Sequence, residues 1–181
     1  MKHRDTQPRG SNSRSRLRSA PEALDVQPSQ HGPQRCVHVA IVHRGYLEAI
    51  LAGRKRVEAR LSQSRCAPFG RVTAGDVVFF KETGGTIRAR AIVDRVESYA
   101  SGCPGEIVRR ALLHAAEIAA PRAFWERKHA ARYATLVWLR DVRETTSGPD
   151  HRSAPGFTPR GAWFVLPMET APASSHVPRA A

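Results

Sequence analysis

The spacing of apolar positions predicts a strand, a helix and a second strand at the start of the central region. Residues 37–42 form a run that is apolar apart from one histidine, which is typical of a short buried strand. Apolar residues recur at helical spacing over 45–53, and Gly53 lies where a helix would end. Residues 54–61 then alternate between apolar and charged side chains, which predicts a half-buried strand with one charged face.

The same signals predict the elements that follow. They are strands over 77–81, 86–93, 133–142 and 162–166, and helices over 105–118 and 122–130. The pairs Gly75-Asp76 and Gly84-Gly85 supply turns before two of these strands. Segment 133–142 is apolar on both faces, so we expect it inside a sheet. Five or six short strands with interspersed helices predict an α+β fold, a small mixed β-barrel with helices packed outside it.

The two ends of the chain differ in composition from this central region. Residues 1–35 are dominated by Ser, Arg, Pro, Gln and Gly, and almost none of them could face a core. Residues 168–181 are a second, shorter polar segment. We therefore predict one folded domain over 36–167 between two disordered tails, of which the N-terminal tail is basic.

Several broad classes are excluded by what the sequence lacks. No apolar run approaches the roughly 18–20 residues of a membrane span, and the polar N-terminal segment has no secretory signal. The three cysteines are too far apart for a disulfide framework or a zinc-binding pair, and the histidines have no ligand spacing. No glycine-rich phosphate-binding loop of the known types occurs. The sequence predicts a cytoplasmic protein without a metal or an organic cofactor.

The charge balance points to polyanions as partners. The chain has 29 Lys and Arg residues against 16 Asp and Glu residues, a formal net charge of +13. Only four of the basic residues are lysines, a bias that a GC-rich genome would also produce. Because most of the excess, +9, belongs to residues 36–167, the basicity is not merely a property of the tails. Nucleic acid is therefore the first partner to consider.

The most informative cluster lies where the first helix meets the second strand. Lys55 follows the glycine turn, and Glu58 and Arg60 share the charged face of the strand. Two cations and a carboxylate this close together could bind a phosphate or polarise a carbonyl, with the carboxylate orienting a cation or taking a proton. The alternative interpretation is a solvated strand face that bears only an ion pair between Glu58 and Arg60.

The order of these features resembles the activating signal cointegrator homology (ASCH) domain, a member of the PUA-like superfamily of small β-barrels. The resemblance covers about residues 37–167 and consists of a helix followed by G-x-K-x-x-E-x-R, a Gly-Asp turn, a hairpin, and a late helix and strand over 124–138. It implies a PUA-like barrel with helices outside it and a cleft floored by the motif strand. In that cleft the superfamily usually holds RNA or a modified base.

The leading functional prediction is binding of RNA, a nucleotide or a modified base in the cationic cleft of a bacterial ASCH-domain protein. Lys55 and Arg60 would contact phosphate or base oxygens. Glu58 would orient Arg60 or accept a hydrogen bond from an exocyclic amine. Tyr46 and Trp163 are the best-placed aromatic residues for stacking on a base.

The resemblance also implies an alternative from a different class. Some ASCH proteins are amidohydrolases that remove the acetyl group from N4-acetylcytidine with a lysine, a threonine and a glutamate, and others are ribonucleases. Lys55 matches the lysine, whereas Glu58 stands at the threonine position. The alternative function is hydrolysis of N4-acetylcytidine-like nucleosides or RNA, in which Lys55 activates water or the acyl carbonyl and Glu58 transfers the proton. A third interpretation, a module that binds a protein partner, stays open.

Overall fold

The computed structural model describes residues 35–167, which form six strands and four α-helices. In chain order these are β1 (Cys36–Val42), α1 (Arg44–Leu51), β2 (Val57–Ser62), β3 (Val77–Glu82), β4 (Ile87–Ala100), α2 (Glu106–Leu112), α3 (Ala115–Ile118), α4 (Arg122–Arg127), β5 (Tyr133–Glu144) and β6 (Trp163–Pro167). Except for Arg35, the two predicted tails lie outside the described residues. None of the helices within 35–167 is long and apolar enough to cross a membrane.

All six strands belong to one mixed sheet in the order β2-β5-β4-β3-β1-β6. The pair β1 and β3 is parallel, and every other neighbouring pair is antiparallel. The sheet forms a half-barrel with a few helices, which is an α+β fold, as the sequence predicted. The two edge strands are β2 and β6, and the cleft described below is lined by residues from both.

Two apolar clusters make up most of the core of the described residues. One cluster joins the apolar side chains of β2 to α2, α3 and β5, with Val57, Ile107 and Leu136 fully buried. A second cluster packs α1 against β3 and β4, with Leu47 and Phe80 at its centre. Because helices cover the apolar face of β2, its charged face must turn toward the interior of the half-barrel. This is the arrangement that creates the functional site.

Most predicted elements are present, and the two largest differences concern one helix and one strand. The helix predicted over 105–118 is two helices, because the chain turns at His114, which has non-helical backbone angles. The strand predicted over 86–93 continues to Ala100. Its second half contains several charged residues, and it is held by pairing with β5 as far as Ala100–Tyr133. Such pairing between distant segments leaves no local periodicity in the sequence.

Candidate functional site

A cavity of about 850 Å³ lies against the charged face of β2. Its walls come from α1, α4, the segment after β2 and the segment that precedes β6. Among the described residues, its lining holds one carboxylate, that of Glu58, and five Lys and Arg side chains: Lys55, Arg60, Arg127, Lys128 and Arg160. The cavity is therefore strongly cationic, and its one acidic group belongs to the motif strand.

The turn after α1 determines the position of Lys55. Gly53 has a φ of 70°, a left-handed conformation that favours glycine, and it ends the helix. The backbone N–H of Lys55 then donates to the carbonyl oxygen of Ala49 at 3.0 Å, which folds the side chain back under the helix. As a result, Lys55 is only 3% exposed although it comes two residues after a surface turn.

The ammonium group of Lys55 is fully engaged by acceptors within the protein. Its Nζ donates to the carbonyl oxygens of Val57 at 2.8 Å and Ile118 at 2.9 Å, and it lies 3.3 Å from Oε2 of Glu58. Burial lowers the pKa of Lys55, while the charge of Glu58 opposes that shift. An ammonium group has three donors, so these contacts account for all of them. Lys55 therefore links α3 to β2 through its hydrogen bonds and supports the carboxylate of Glu58.

Glu58 lies between the two cations and is itself buried. Its Oε1 is 2.8 Å from Nε of Arg60, and Oε2 faces Lys55. Burial opposes ionisation of this carboxyl group, but Lys55 and Arg60 outweigh it and hold the pKa of Glu58 below its usual range. The interpretation of this face as a solvated surface is therefore wrong, since Glu58 is only 4% exposed.

Arg60 spans the opening between the two edges of the sheet. From β2 it donates to the carbonyl oxygens of Ile41 at 3.0 Å and Ala162 at 3.2 Å, on β1 and just before β6. Its guanidinium group also lies 5.3 Å from the ring centre of Trp163. The half-barrel is thus bridged here by one arginine side chain, which simultaneously forms part of the cavity floor.

The two aromatic residues predicted for the site both line the cavity. The ring of Tyr46 lies 5.3 Å from Nζ of Lys55, and burial together with the charge of Glu58 raises the pKa of its hydroxyl. Trp163 is 6% exposed, so most of its ring is covered by protein. The half-buried aromatic surface in the lining comes from Tyr46, Phe69, Phe124 and Tyr133.

A buried hydrogen-bonded chain holds Trp163 in place from behind. Its indole N–H donates to Nδ1 of His38 at 3.1 Å, and Nε2 of His38 lies 3.0 Å from a carboxylate oxygen of Asp76. Because Nδ1 accepts, the proton of a neutral His38 must be on Nε2, where it is donated to Asp76. Burial lowers the pKa of His38 even though its hydrogen bond to Asp76 opposes that shift, so His38 stays in this neutral form.

Four further polar residues of the lining were missed in the sequence. Arg127, Lys128 and Arg160 have no ion-pair partner among residues 35–167, so their charges are available to a ligand. Burial and the neighbouring charges of Arg60 and Arg127 lower the pKa of Lys128. Thr135 lies on β5 directly opposite Arg60, is 1% exposed, and its hydroxyl has no hydrogen-bond partner in the described region. No local sequence signal distinguishes these four residues from other polar residues. Strand pairing and the packing of loops bring them together in the cavity.

A metal centre has no support within the described region. No group of three or more His, Cys, Asp or Glu side chains in residues 35–167 is arranged to hold a metal ion. The one carboxylate of the cavity is already flanked by two cations, which would also repel a metal cation from it.

Comparison with solved structures identifies the fold. The chain matches the crystal structure of ASCH from Zymomonas mobilis at 15% identity and a TM-score of 0.54, over 74% of this chain and 89% of that one. A variant of that protein with a serine replaced by alanine matches at 16% identity and a TM-score of 0.56, covering 75% and 92% of the two chains. A variant of the same protein with a tyrosine replaced by phenylalanine matches at 16% identity and a TM-score of 0.52, over 73% of this chain and 91% of that one.

The protein therefore has the ASCH-domain fold. At this level of identity the similarity establishes the fold alone. No protein-family model matches the chain, and no curated protein matches it either.

Proposed function

We propose that the protein binds RNA, taking one nucleotide or modified base into the cationic cavity on β2. The observation that supports this most directly is the chemistry of the cavity lining. It combines unpaired cations at its rim with half-buried aromatic rings and a single, deeply placed carboxylate. Phosphate groups suit the cations, and the flat face of a base suits the rings.

The rim charges are the groups that would hold phosphate. Arg127 and Arg160 are exposed and Lys128 is half-buried, and all three face one cavity from two different segments. Lys55, in contrast, donates all its protons within the protein, so we assign the phosphate contacts to the rim and a supporting role to Lys55. We therefore expect the rim cations, rather than Lys55, to dominate the affinity for RNA.

The carboxylate of Glu58 is the group that would recognise the base. Each of its oxygens has one cationic partner, which leaves a lone pair on each oxygen for a further donor. An exocyclic amine of a base is such a donor, and the flanking cations keep Glu58 ionised and in position. The hydroxyl of Thr135, which lacks a partner in the described region, offers a second polar contact nearby.

Replacing Arg127, Lys128 and Arg160 together with alanine should weaken binding of single-stranded RNA and reduce its salt dependence. Each phosphate contact on single-stranded nucleic acid contributes about 0.7 to the slope of log affinity against log salt concentration. The triple variant should therefore lose about 2 from that slope, measured by fluorescence anisotropy of labelled RNA over a salt series.

A triple variant at Arg90, Arg109 and Arg143 is the matched control. These arginines are exposed, lie outside the cavity and form no ion pair within the described residues. The control variant removes the same charge from the domain but none from the cavity. It should therefore reduce the slope far less. Equal losses in the two triple variants, or wild-type binding that does not respond to salt, would refute the proposal.

Hydrolysis is the second candidate, and one observation favours it. Thr135 presents a buried hydroxyl without a partner in the described region, directly across from Arg60 and in the same cavity as Lys55 and Glu58. A hydroxyl group that shares a cavity with a carboxylate and a lysine is an arrangement that can serve acyl transfer.

Incubation with N4-acetylcytidine tests this candidate, with cytidine release measured by chromatography. If the protein is such a hydrolase, Thr135→Val should reduce turnover at least about 100-fold while Thr145→Val, at a half-buried threonine outside the cavity, leaves it unchanged. Absence of turnover by the wild type, or turnover that survives Thr135→Val, would count against it.

A further inference from the structure

A second cavity, of about 740 Å³, adjoins the first. It lies between the segment after β2, the exposed loop that precedes β6, and β6 itself. Phe69, Thr158 and Trp163 belong to the linings of both cavities, so the two spaces meet along a common wall. The site on β2 is thus one half of a longer depression across the surface.

Phe69 lies in the wall that the two cavities share. On the side of the first cavity its ring lies edge-on to Tyr133, with ring centres 5.1 Å apart. On the side of the second cavity the guanidinium group of Arg65 lies 5.5 Å from the same ring. An aromatic ring and a cation are therefore placed next to each other at the point where the cavities join.

The second cavity is cationic in its own right. Arg65 and Arg71 line it, both are exposed, and neither forms an ion pair among residues 35–167. Among residues 35–167, its lining contains no aspartate or glutamate. A cavity with two uncompensated arginines and no acid favours an anionic group over a neutral or basic one.

We propose that the ligand is a single strand of RNA that extends through both cavities, with the second cavity binding the nucleotide next to the one held on β2. This inference rests on the proposed function and specifies its ligand. Arg65 and Arg71 bind the adjoining phosphate groups, and the exposed part of Phe69 stacks on a base. A single strand fits because its bases can be turned apart into separate cavities, whereas the bases of a duplex stay stacked.

The test compares a short single-stranded RNA of mixed sequence with the four nucleoside monophosphates, using wild type and the Arg65→Ala/Arg71→Ala variant. The wild type should bind the RNA more tightly than any monophosphate. The double variant should lose about tenfold or more in RNA affinity, and the slope of log affinity against log salt should fall by about 1.4. Its affinity for monophosphates should be unchanged. Arg90→Ala/Arg109→Ala, outside both cavities, is the control.

The outcomes separate this inference from the proposed function. If a monophosphate binds but the RNA binds no more tightly, or if the two double variants behave alike, the extended site is refuted and the nucleotide site stands. If neither ligand binds, the proposed function fails and the inference fails with it. If polyglutamate displaces the RNA as effectively as unlabelled RNA does, the second cavity recognises charge alone, and the inference is also overturned.

Discussion

Glu58→Ala is expected to lower the free energy of unfolding by about 3–5 kcal/mol. The substitution leaves the buried ammonium group of Lys55 without its carboxylate and removes the group that aligns Arg60. Breaking a buried ion pair on one side is costly because the remaining charge stays out of water. Urea unfolding followed by circular dichroism measures the effect directly.

Glu82→Ala provides the matched control for this prediction. Glu82 also contacts two cations, Arg44 and Arg88, but its side chain is 21% exposed and both partners are more exposed still. Glu82→Ala should therefore lower the free energy of unfolding by about 1 kcal/mol or less. Lys55→Met combined with Glu58→Leu should recover much of the stability lost in Glu58→Ala, since apolar residues of similar size often replace a buried pair well. Equal costs for Glu58→Ala and Glu82→Ala would contradict the structure.

Because the pKa of Glu58 is lowered by folding, the contribution of Glu58 to stability depends on pH. Its folded-state pKa lies below the ordinary value of about 4.5, so its stabilising contribution is fully present above that pH. It is lost as the pH falls through the lower, folded-state pKa, because the carboxyl group is then protonated in both states. The difference in stability between wild type and Glu58→Ala should therefore shrink in strongly acidic solution and stay constant near neutrality.

Asp76→Ala is the second change with a large expected effect, a loss of at least about 2 kcal/mol in the free energy of unfolding. The carboxylate accepts from the backbone N–H of Cys36, from both the N–H and the hydroxyl of Thr73, and from buried His38. A buried donor left without an acceptor costs about 1–3 kcal/mol. Because His38 positions Trp163, RNA affinity should fall as well.

Asp94→Ala serves as the comparison, since Asp94 is exposed and its one ion pair, with Arg140, is also exposed. It should change stability by less than about 1 kcal/mol. The wild type should also lose stability as the pH drops below about 6.5, because His38 takes up a proton readily only when unfolded. His38→Gln should reduce that pH dependence. A cost for Asp76→Ala no greater than that for Asp94→Ala would show that the buried chain contributes little.

The amino-acid sequence alone determined the order of the elements and the position of the motif. Apolar periodicity predicted β1, α1 and β5 closely, and the Gly53 turn placed Lys55 between a helix and a strand. The ASCH-like order of these features also indicated the ASCH-domain fold that the structural comparison supports. These are properties of neighbouring residues, which local conformational preference and side-chain spacing determine.

The tertiary structure decided what those residues contact. Alternation in β2 showed that Glu58 and Arg60 share a face, but not that helices would cover the opposite face and bury the charged one. Likewise, the Gly75-Asp76 pair indicated a turn, whereas Asp76 also anchors His38 beneath the cavity. The burial of a side chain depends on segments that are distant in sequence. Burial in turn sets the pKa of each buried group and the strength of its ion pairs, so the chemistry of the site emerges only when the sheet forms around it.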